Sequence, residues 1–550
     1  MFQIEIKFDG EHFITKAIEE PQSIREIVGQ ELLTEKKVIA VISNAQLSTL
    51  DFIPQEDSQI DCLTLDSDYG YRIYQDTAIF ILMKAFYSLF QRQYTLEMEH
   101  SVGDGIYAEV FDDYVLSEED VNRLKMEMQR LIEADLPITK EDMNRDDAEV
   151  IFRQHHRHDL QNNMHFRHVI LNKCDGYYDY FCRELAESTG LIHAFDLRYH
   201  SPGLILRVPD RGETTLSKDF ELKRKLFATH QEHDKWLSIL GVHHVYHLNR
   251  AFHQHKINEL IQVEEALHEK KIVHIAEDIT SRKDIKLILI AGPSSSGKTT
   301  FAKRLSIQLR VNGIYPHLIS MDDYFLSRHL TPRKENGDFD FESINSLDLE
   351  MLNSHMQKVL NGEQIELPKY NFIRGKAQPS GKFLQLHKHD IIIMEGIHGL
   401  NDQLTKSVPF NQKVKIYVSA LNNLNIDSHN RIATTDSRKF RRIIRDAKFR
   451  GHTASQTLDM WDSVREGEDN NIFPYQESAD FMFNSILTYE LGVAKKYVQP
   501  LLEGIRQGQK NYIEAQRLLR ILGHFENIHD GIVPSNSILR EFIGGSIFEY

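Results

Sequence analysis

Residues 292–300 read Gly292-Pro293-Ser294-Ser295-Ser296-Gly297-Lys298-Thr299-Thr300, directly after the apolar run 285–291 and directly before an amphipathic segment reaching Arg310. The spacing G-x-x-x-x-G-K-[ST], set between a strand and a helix, constrains the fold more than any other feature of the chain. Small side chains let successive backbone N–H groups close around phosphate oxygens, Lys298 adds a point charge between β- and γ-phosphates, and Thr299 can hold Mg²⁺. The N-terminus of the following helix adds its partial positive charge. The run ahead of the loop has the density of a strand buried on both faces. Similar runs at 390–394 and 414–419, with helical segments between them, predict a doubly wound α/β domain with a mostly parallel sheet.

At 550 residues the chain exceeds one hydrophobic core, and ordinary domain sizes imply roughly three to four units. A net charge of −16 repels phosphate backbones and anionic surfaces, which argues against nucleic acid as a partner while leaving room for a local basic patch. The three cysteines, Cys62, Cys174 and Cys182, are too few for a disulfide framework and fit a reducing compartment. The start alternates apolar and polar residues, unlike a signal peptide. No apolar run approaches the roughly 18 residues of a membrane helix. The expectation is a cytoplasmic protein with no membrane partner.

Residues 2–8 and 13–18 alternate like strands paired across an Asp9-Gly10 turn, Ser23 can cap a short helix, and 38–43 is a further strand. Residues 1–60 therefore read as a small α+β module. Residues 61–213 read as a second α+β module, with helices from Ile73 to about Leu89 and over 117–134. The stretch 214–283, charged and rich in histidine, reads as a helical connector. The α/β domain occupies 284–490, and a helical tail begins near Thr488 and fills 491–550.

A phosphate loop does not by itself choose between kinase, ATPase and GTPase. Asn172-Lys173-Cys174-Asp175 matches the N-K-x-D guanine reader, yet no Asp after residue 300 has a Gly three positions later to supply the accompanying D-x-x-G. The segment is read as a turn. Asp322 closes the run after the phosphate-loop helix. There, at the carboxyl edge of a doubly wound sheet, it can accept the proton of an attacking hydroxyl; a helix cap or Mg²⁺ ligand is the alternative, and Asp323 is the rival base. Arg438, Arg441, Arg442 and Arg445 stand at i, i+3, i+4 and i+7. A helix presents all four on one face, opposite either a triphosphate or, as a solvated surface, Asp436 and Asp446.

From residue 285 to about 490 the chain resembles the uridine/cytidine kinase branch of the phosphoribulokinase and uridine kinase superfamily. Ile319-Ser320-Met321-Asp322-Asp323-Tyr324-Phe325 is similar to the segment carrying the family's catalytic Asp. Pro368-Lys369-Tyr370-Asn371-Phe372 resembles its P-x-Y-D-F segment, Met394-Glu395-Gly396-Ile397 its F-E-G-I strand end, and residues 436–446 with Arg450-Gly451 its arginine-rich lid. The resemblance implies a P-loop kinase with ATP and Mg²⁺ as cofactors and a small-molecule nucleoside as substrate, uridine or cytidine favoured, phosphorylated at its 5′-hydroxyl. It implies that Asp322 is the base, with Tyr370 and Phe372 against the nucleoside. Thr299, Glu395 and Asp322 fall near Mg²⁺, and Lys298 with Arg438, Arg441, Arg442 and Arg445 near the transferring phosphate. A kinase of another small alcohol metabolite and an RNA-associated nucleotide-dependent regulator stay open, as does a homo-oligomer. Gly375 stands where the family commonly has a His on the pyrimidine.

Residues 1–60 resemble the TGS domain, a β-grasp unit. Residues 61–213 resemble the second domain of threonyl-tRNA synthetase, in passages such as Val102-Gly103-Asp104-Gly105-Ile106-Tyr107-Ala108-Glu109-Val110. That domain edits with an H-x-x-x-H helix and a C-x-x-x-H pair. Here those positions are Gln75, Ile79, Cys182 and Ala186, so editing chemistry is expected to be lost. The 28 histidines include His155-His156-Arg157-His158 and the pair His243 and His247. No acid or cysteine at metal spacing accompanies them, and they read as surface or core residues, with a regulatory or weak metal site as the alternative.

Overall fold

The apolar run ahead of the loop is the strand Leu287–Ala291, buried at every residue. In the computed structural model, which describes residues 2–44, 46–90, 94–111, 114–157, 159–160, 167–334, 337–371 and 374–550, it is the centre of a five-stranded parallel sheet. The order is Tyr315–Ser320, Asp390–Glu395, Leu287–Ala291, Lys413–Ser419, Phe481–Asn484. Strand alternation splits the central strand between two cores. Ile288 and Ile290 pack with Phe301 and Leu305 of the phosphate-loop helix Lys298–Val311. Leu287 and Leu289 pack with Leu352 and Met356 of the helix Leu349–Leu360 on the opposite face.

Helices before and after this sheet belong to its core. Ile272, Ile275 and Ile279 of the helix Ile257–Ser281, and Leu518, Ile521 and Leu522 of the helix Tyr512–Gly523, share one cluster with Ile288 and Phe301. The stretch read as a helical connector thus contributes the helix Ile257–Ser281 to this core. Each helix carries an apolar stripe that needs a partner, and the face of the sheet above the loop supplies it.

At the front, the sheet order is Glu11–Ile18, Phe2–Phe8, Ser58–Thr64, Val38–Ser43, Gln46–Ser48, with Phe2–Phe8 and Ser58–Thr64 parallel. Ser23 and Glu26 form a capping box at the helix Ile24–Val28. One face of this sheet packs on that helix through Ile4, Ile6 and Ile60. The other face sends Ile39, Ala40 and Ile42 into a core shared with the long helix Asp68–Phe90. That core is closed by the sheet Asp196–His200, Gly203–Arg207, Gly105–Val110, Leu96–Val102 and by the helix Glu118–Glu133. The predicted turn at Asn172–Asp175 is also corrected. Asn172, Lys173 and Cys174 end the strand His168–Cys174, held by pairing with Thr139–Asn144, and only Asp175 (φ 46°) and Gly176 turn.

Residues 420–432 join the strand Lys413–Ser419 to the arginine helix Thr434–Arg445. They are rich in asparagine yet buried, Asn423 to 2% exposure and Asp427 and Asn430 to 1% each. The front of the chain satisfies them. Arg157 pairs with Asp427 at 2.7 Å, Asn425 Nδ2 donates to Met98 O at 2.9 Å, and Asn430 Oδ1 accepts from the Cys182 N–H at 2.8 Å. Among the described residues no helix is long and apolar enough to cross a membrane.

Candidate functional site

The phosphate loop is held open by backbone geometry. A Cβ on Gly292 would strike the Val418 carbonyl, and Gly297 adopts φ 84°, the left-handed conformation that favours glycine, to begin the helix Lys298–Val311. Lys298 Nζ folds back on its own loop, donating to Gly292 O at 2.8 Å and Pro293 O at 3.0 Å, and burial lowers its ammonium below the usual lysine range. Thr299 Oγ1 donates to Glu395 Oε1 at 3.3 Å. Burial pushes the Glu395 carboxyl up to about 7, with Lys298 opposing and Asp322 reinforcing the shift.

Asp322 and Asp323 follow the strand Tyr315–Ser320. Asp323 is tied down, accepting from the Tyr370 N–H at 3.3 Å and pairing with Lys369 Nζ at 3.1 Å. Asp322 is exposed beside the phosphate loop. Desolvation by the surrounding chain, reinforced by Asp323, raises its carboxyl above the usual range against the pull of Lys298. Tyr370 lies on the hairpin strand Ile365–Asn371, 5% exposed, its ring 5.5 Å from that of Phe325. Phe372 lies outside the described residues. Gly375, at φ 63°, accepts the Arg328 N–H at 2.7 Å.

The structure divides the four arginines that the spacing groups together. Arg438 and Arg441 are locked in buried forks, Arg438 on Glu468 at 2.5 and 2.6 Å, Arg441 on Glu490 at 2.9 and 2.6 Å. Arg442 donates to Ser294 Oγ at 2.8 Å and, like Arg445, leans on Asp446, at 3.2 and 3.3 Å. Burial and Arg450 lower the Arg445 guanidinium to about 10. The arginine helix thus lies on the loop, and Arg442, Arg445 and Arg450 share the one carboxylate of Asp446.

Two carboxylates that sequence reading missed occupy loop donors. Glu468 Oε1 accepts the Ser294 N–H at 2.9 Å. Glu541, in the C-terminal segment, accepts the Thr300 N–H at 3.1 Å and its Oγ1 at 2.6 Å. Around it Tyr550 OH meets Thr300 Oγ1 at 2.8 Å, Ile538 sits against Gly297, and the Phe542 ring lies 5.1 Å from the Arg441 guanidinium. Nothing at 174 or 241 residues' separation signals such pairings in the chain.

Cys182 is buried in the apolar cluster that also holds Ile288 and Phe301, and its thiol is pushed up to about 12 by that burial. The helix position expected for an imidazole partner holds Ile79, 1% exposed. A cavity of about 1020 Å³ runs from Gln75 and Ile79 to Pro293, Arg438 and Trp461.

A scan of family models matches residues 287–491 to the phosphoribulokinase/uridine kinase family. Uridine kinase of Macrococcus caseolyticus is 30% identical over 201 residues, 36% of this chain and 86% of that protein. Uridine kinase of Anoxybacillus flavithermus is 27% identical over 227 residues, 40% of this chain and 97% of that protein. A solved structure described as a possible uridine kinase from Bacillus stearothermophilus is 20% identical, covering 39% of this chain and 98% of that one, with a TM-score of 0.27. Through residues 287–491, which carry the phosphate loop, Asp322, Glu395 and the arginine helix, the chain belongs to the phosphoribulokinase/uridine kinase family.

Proposed function

We propose that the chain transfers the γ-phosphoryl group of ATP to the 5′-hydroxyl of a nucleoside, uridine or cytidine favoured, giving ADP and the nucleoside monophosphate. The observation that carries this reading is the pair at the carboxyl edge of the sheet. Asp323 is spent on Lys369 and Tyr370, while the Asp322 carboxylate, with no hydrogen bond or ion pair among the described residues, faces the phosphate loop.

In this reading Asp322 takes the hydroxyl proton as the oxygen attacks phosphorus. Lys298 leaves its loop carbonyls for the phosphate oxygens, and Arg442 and Arg445 steady the transferring charge. Arg438 and Arg441, neutralised by buried carboxylates, position the helix rather than the phosphate. Tyr370 forms part of the acceptor wall. Thr299 Oγ1 and Glu395, oxygen donors 3.3 Å apart, fit a hard cation and would hold Mg²⁺, which when bound neutralises phosphate charge. Glu541 sits on donors that such a loop offers to phosphate, so nucleotide binding displaces it.

For the front of the chain we read a TGS-like β-grasp unit followed by a threonyl-tRNA synthetase editing-like module without its chemistry. Parallel pairing of the first and last long strands around a capped helix supports the former. A buried Cys182, in a different apolar cluster from Ile79 and Ala186, supports the latter.

The test is phosphoryl transfer from ATP to a panel of nucleosides, sugars and pantothenate by wild type and Lys298→Ala. Transfer is expected to a pyrimidine nucleoside, and Lys298→Ala is expected to lower it by about 10³ or more. Near-normal turnover by the variant would overturn the site, and transfer only to a non-nucleoside would overturn the substrate.

A further inference from the structure

The strand Leu96–Val102 carries a bulge against Gly105–Val110, its register slipping between Met98 and Ser101. Neighbours on a regular strand point to opposite faces. The bulge re-aims Glu99 and His100, so that a ligand atom of each lies within 4.8 Å of the other and of an Asp234 oxygen from the helix Arg224–Leu240.

His100 is 1% exposed, and neither ring nitrogen has a hydrogen-bond partner among the described residues. A native core rarely leaves an imidazole in that condition without an unseen partner. The ring is fixed, stacked 3.9 Å from His230 and packed between Tyr107 and Phe227. Asp234 Oδ1 accepts from Asn423 Nδ2 at 2.5 Å, and Arg431 Nε donates to the backbone carbonyl of Glu99 at 2.7 Å, but among the described residues neither carboxylate has a cation in salt-bridge contact.

We propose that Glu99, His100 and Asp234 bind one divalent transition-metal cation, with zinc the best match to two carboxylate oxygens and one neutral imidazole, water completing the shell. Zinc bonds of about 2.0–2.1 Å place tetrahedral ligands about 3.3 Å apart, so binding draws the three donors inward. Asn423 orients Asp234 from outside, as outer-shell partners of metal ligands do. Glu99 and Asp234 are half-buried, which leaves a path for entry. The cation pins the front strand to the helix Arg224–Leu240 and, through Asn423, to the buried loop that leads into the arginine helix. It sits apart from the phosphate loop and serves stability and control rather than phosphoryl transfer.

The test is equilibrium dialysis of the chelator-stripped full-length protein against Zn²⁺ in the presence of excess Mg²⁺, with bound metal counted by mass spectrometry and melting followed in parallel. We expect about one equivalent of zinc and a higher melting temperature. His100→Ala and Asp234→Asn are each expected to weaken binding by at least about tenfold, while His243→Ala leaves it unchanged. Asp234→Asn keeps the side-chain shape and reads the site even where His100→Ala fails to fold. No zinc above background in wild type, or wild-type binding by Asp234→Asn, would overturn the proposal.

Discussion

At the scale of single residues, the two adjacent aspartates separate cleanly because their surroundings differ while their chemistry does not. Asp322→Asn keeps the shape but cannot accept a proton, and turnover is expected to fall by about 10²–10⁴ while ATP still binds. Asp323→Asn loosens the hairpin that carries Tyr370, and is expected to raise the acceptor KM more than it lowers kcat. Steady-state kinetics of both variants decides; collapse with Asp323→Asn alone would move the base by one residue. A second set of charges is structural. Asp436, at the start of the arginine helix, forks onto Arg517 at 2.9 and 2.7 Å, and Arg517 also holds Glu514. Burial pushes the Glu514 carboxyl up, but Arg517 and Lys439 overcome it and bring it down to about 2. A carboxyl depressed on folding stabilises above its unfolded value of about 4.3 and loses that contribution as pH falls towards 2. Melting temperature measured against pH should therefore fall less steeply below about pH 4.3 in Glu514→Gln than in wild type. Asp436→Asn leaves the buried Arg517 with Glu514 as its one remaining carboxylate partner among the described residues and is expected to destabilise the protein in chemical denaturation, by up to about 3–5 kcal/mol.

At the scale of elements, the arginine helix and the C-terminal segment close on the loop from two sides. Periodicity predicts the helix over the arginines, and the structure has it at Thr434–Arg445. Periodicity cannot say that Glu468 and Glu490 arrive from distant helices to neutralise half of those arginines. Nor does anything local mark the last residues as a cover for the loop, although Lys448 donates to Ile543 O and Phe542 is 0% exposed. Glu541→Gln removes the charge that competes with phosphate, and the charge-assisted contact it loses corresponds to about tenfold in affinity. Calorimetric titration with a non-hydrolysable ATP analogue should show tighter binding to the variant. Unchanged or weaker binding would mean that Glu541 supports the nucleotide site instead of blocking it.

At the scale of the whole molecule, the front of the chain is part of the kinase's folding problem. The loop 420–432 buries asparagines and Asp427 against Arg157, Met98 and Cys182, and removing the front of the chain strips those partners from buried polar groups. Deleting residues 1–210 is expected to lower the melting temperature by several degrees and to loosen the arginine helix, raising protease sensitivity around residue 430, while residual transfer persists. Limited proteolysis beside an activity assay checks this. The full-length protein is also expected not to deacylate seryl-tRNA above the uncatalysed rate, since a thiol raised to about 12 stays protonated and Gln75, Ile79 and Ala186 provide no base. Deacylation abolished by Cys182→Ala would reverse that reading.

What the chain determines by itself is local. The glycines of 292–300 fix a backbone shape, runs of β-branched residues and leucine make the parallel strands, Ser23 and Ser117 cap their helices, and the spacing of arginines makes a cationic face. Each depends on neighbours within one or two turns, and each is legible as pattern. The sequence places Asp322 and Asp323 alike, just after a strand beside the loop, and only the ties of Asp323 to Lys369 and Tyr370 separate the two carboxylates. Glu541 on the phosphate loop, the carboxylate forks of Arg438 and Arg441, the convergence of Glu99, His100 and Asp234, and the burial of the helix Ile257–Ser281 in the core of the parallel sheet were decided only by tertiary structure. Charge pairing and apolar burial act through space, with strengths set by distance and desolvation that no sequence separation encodes.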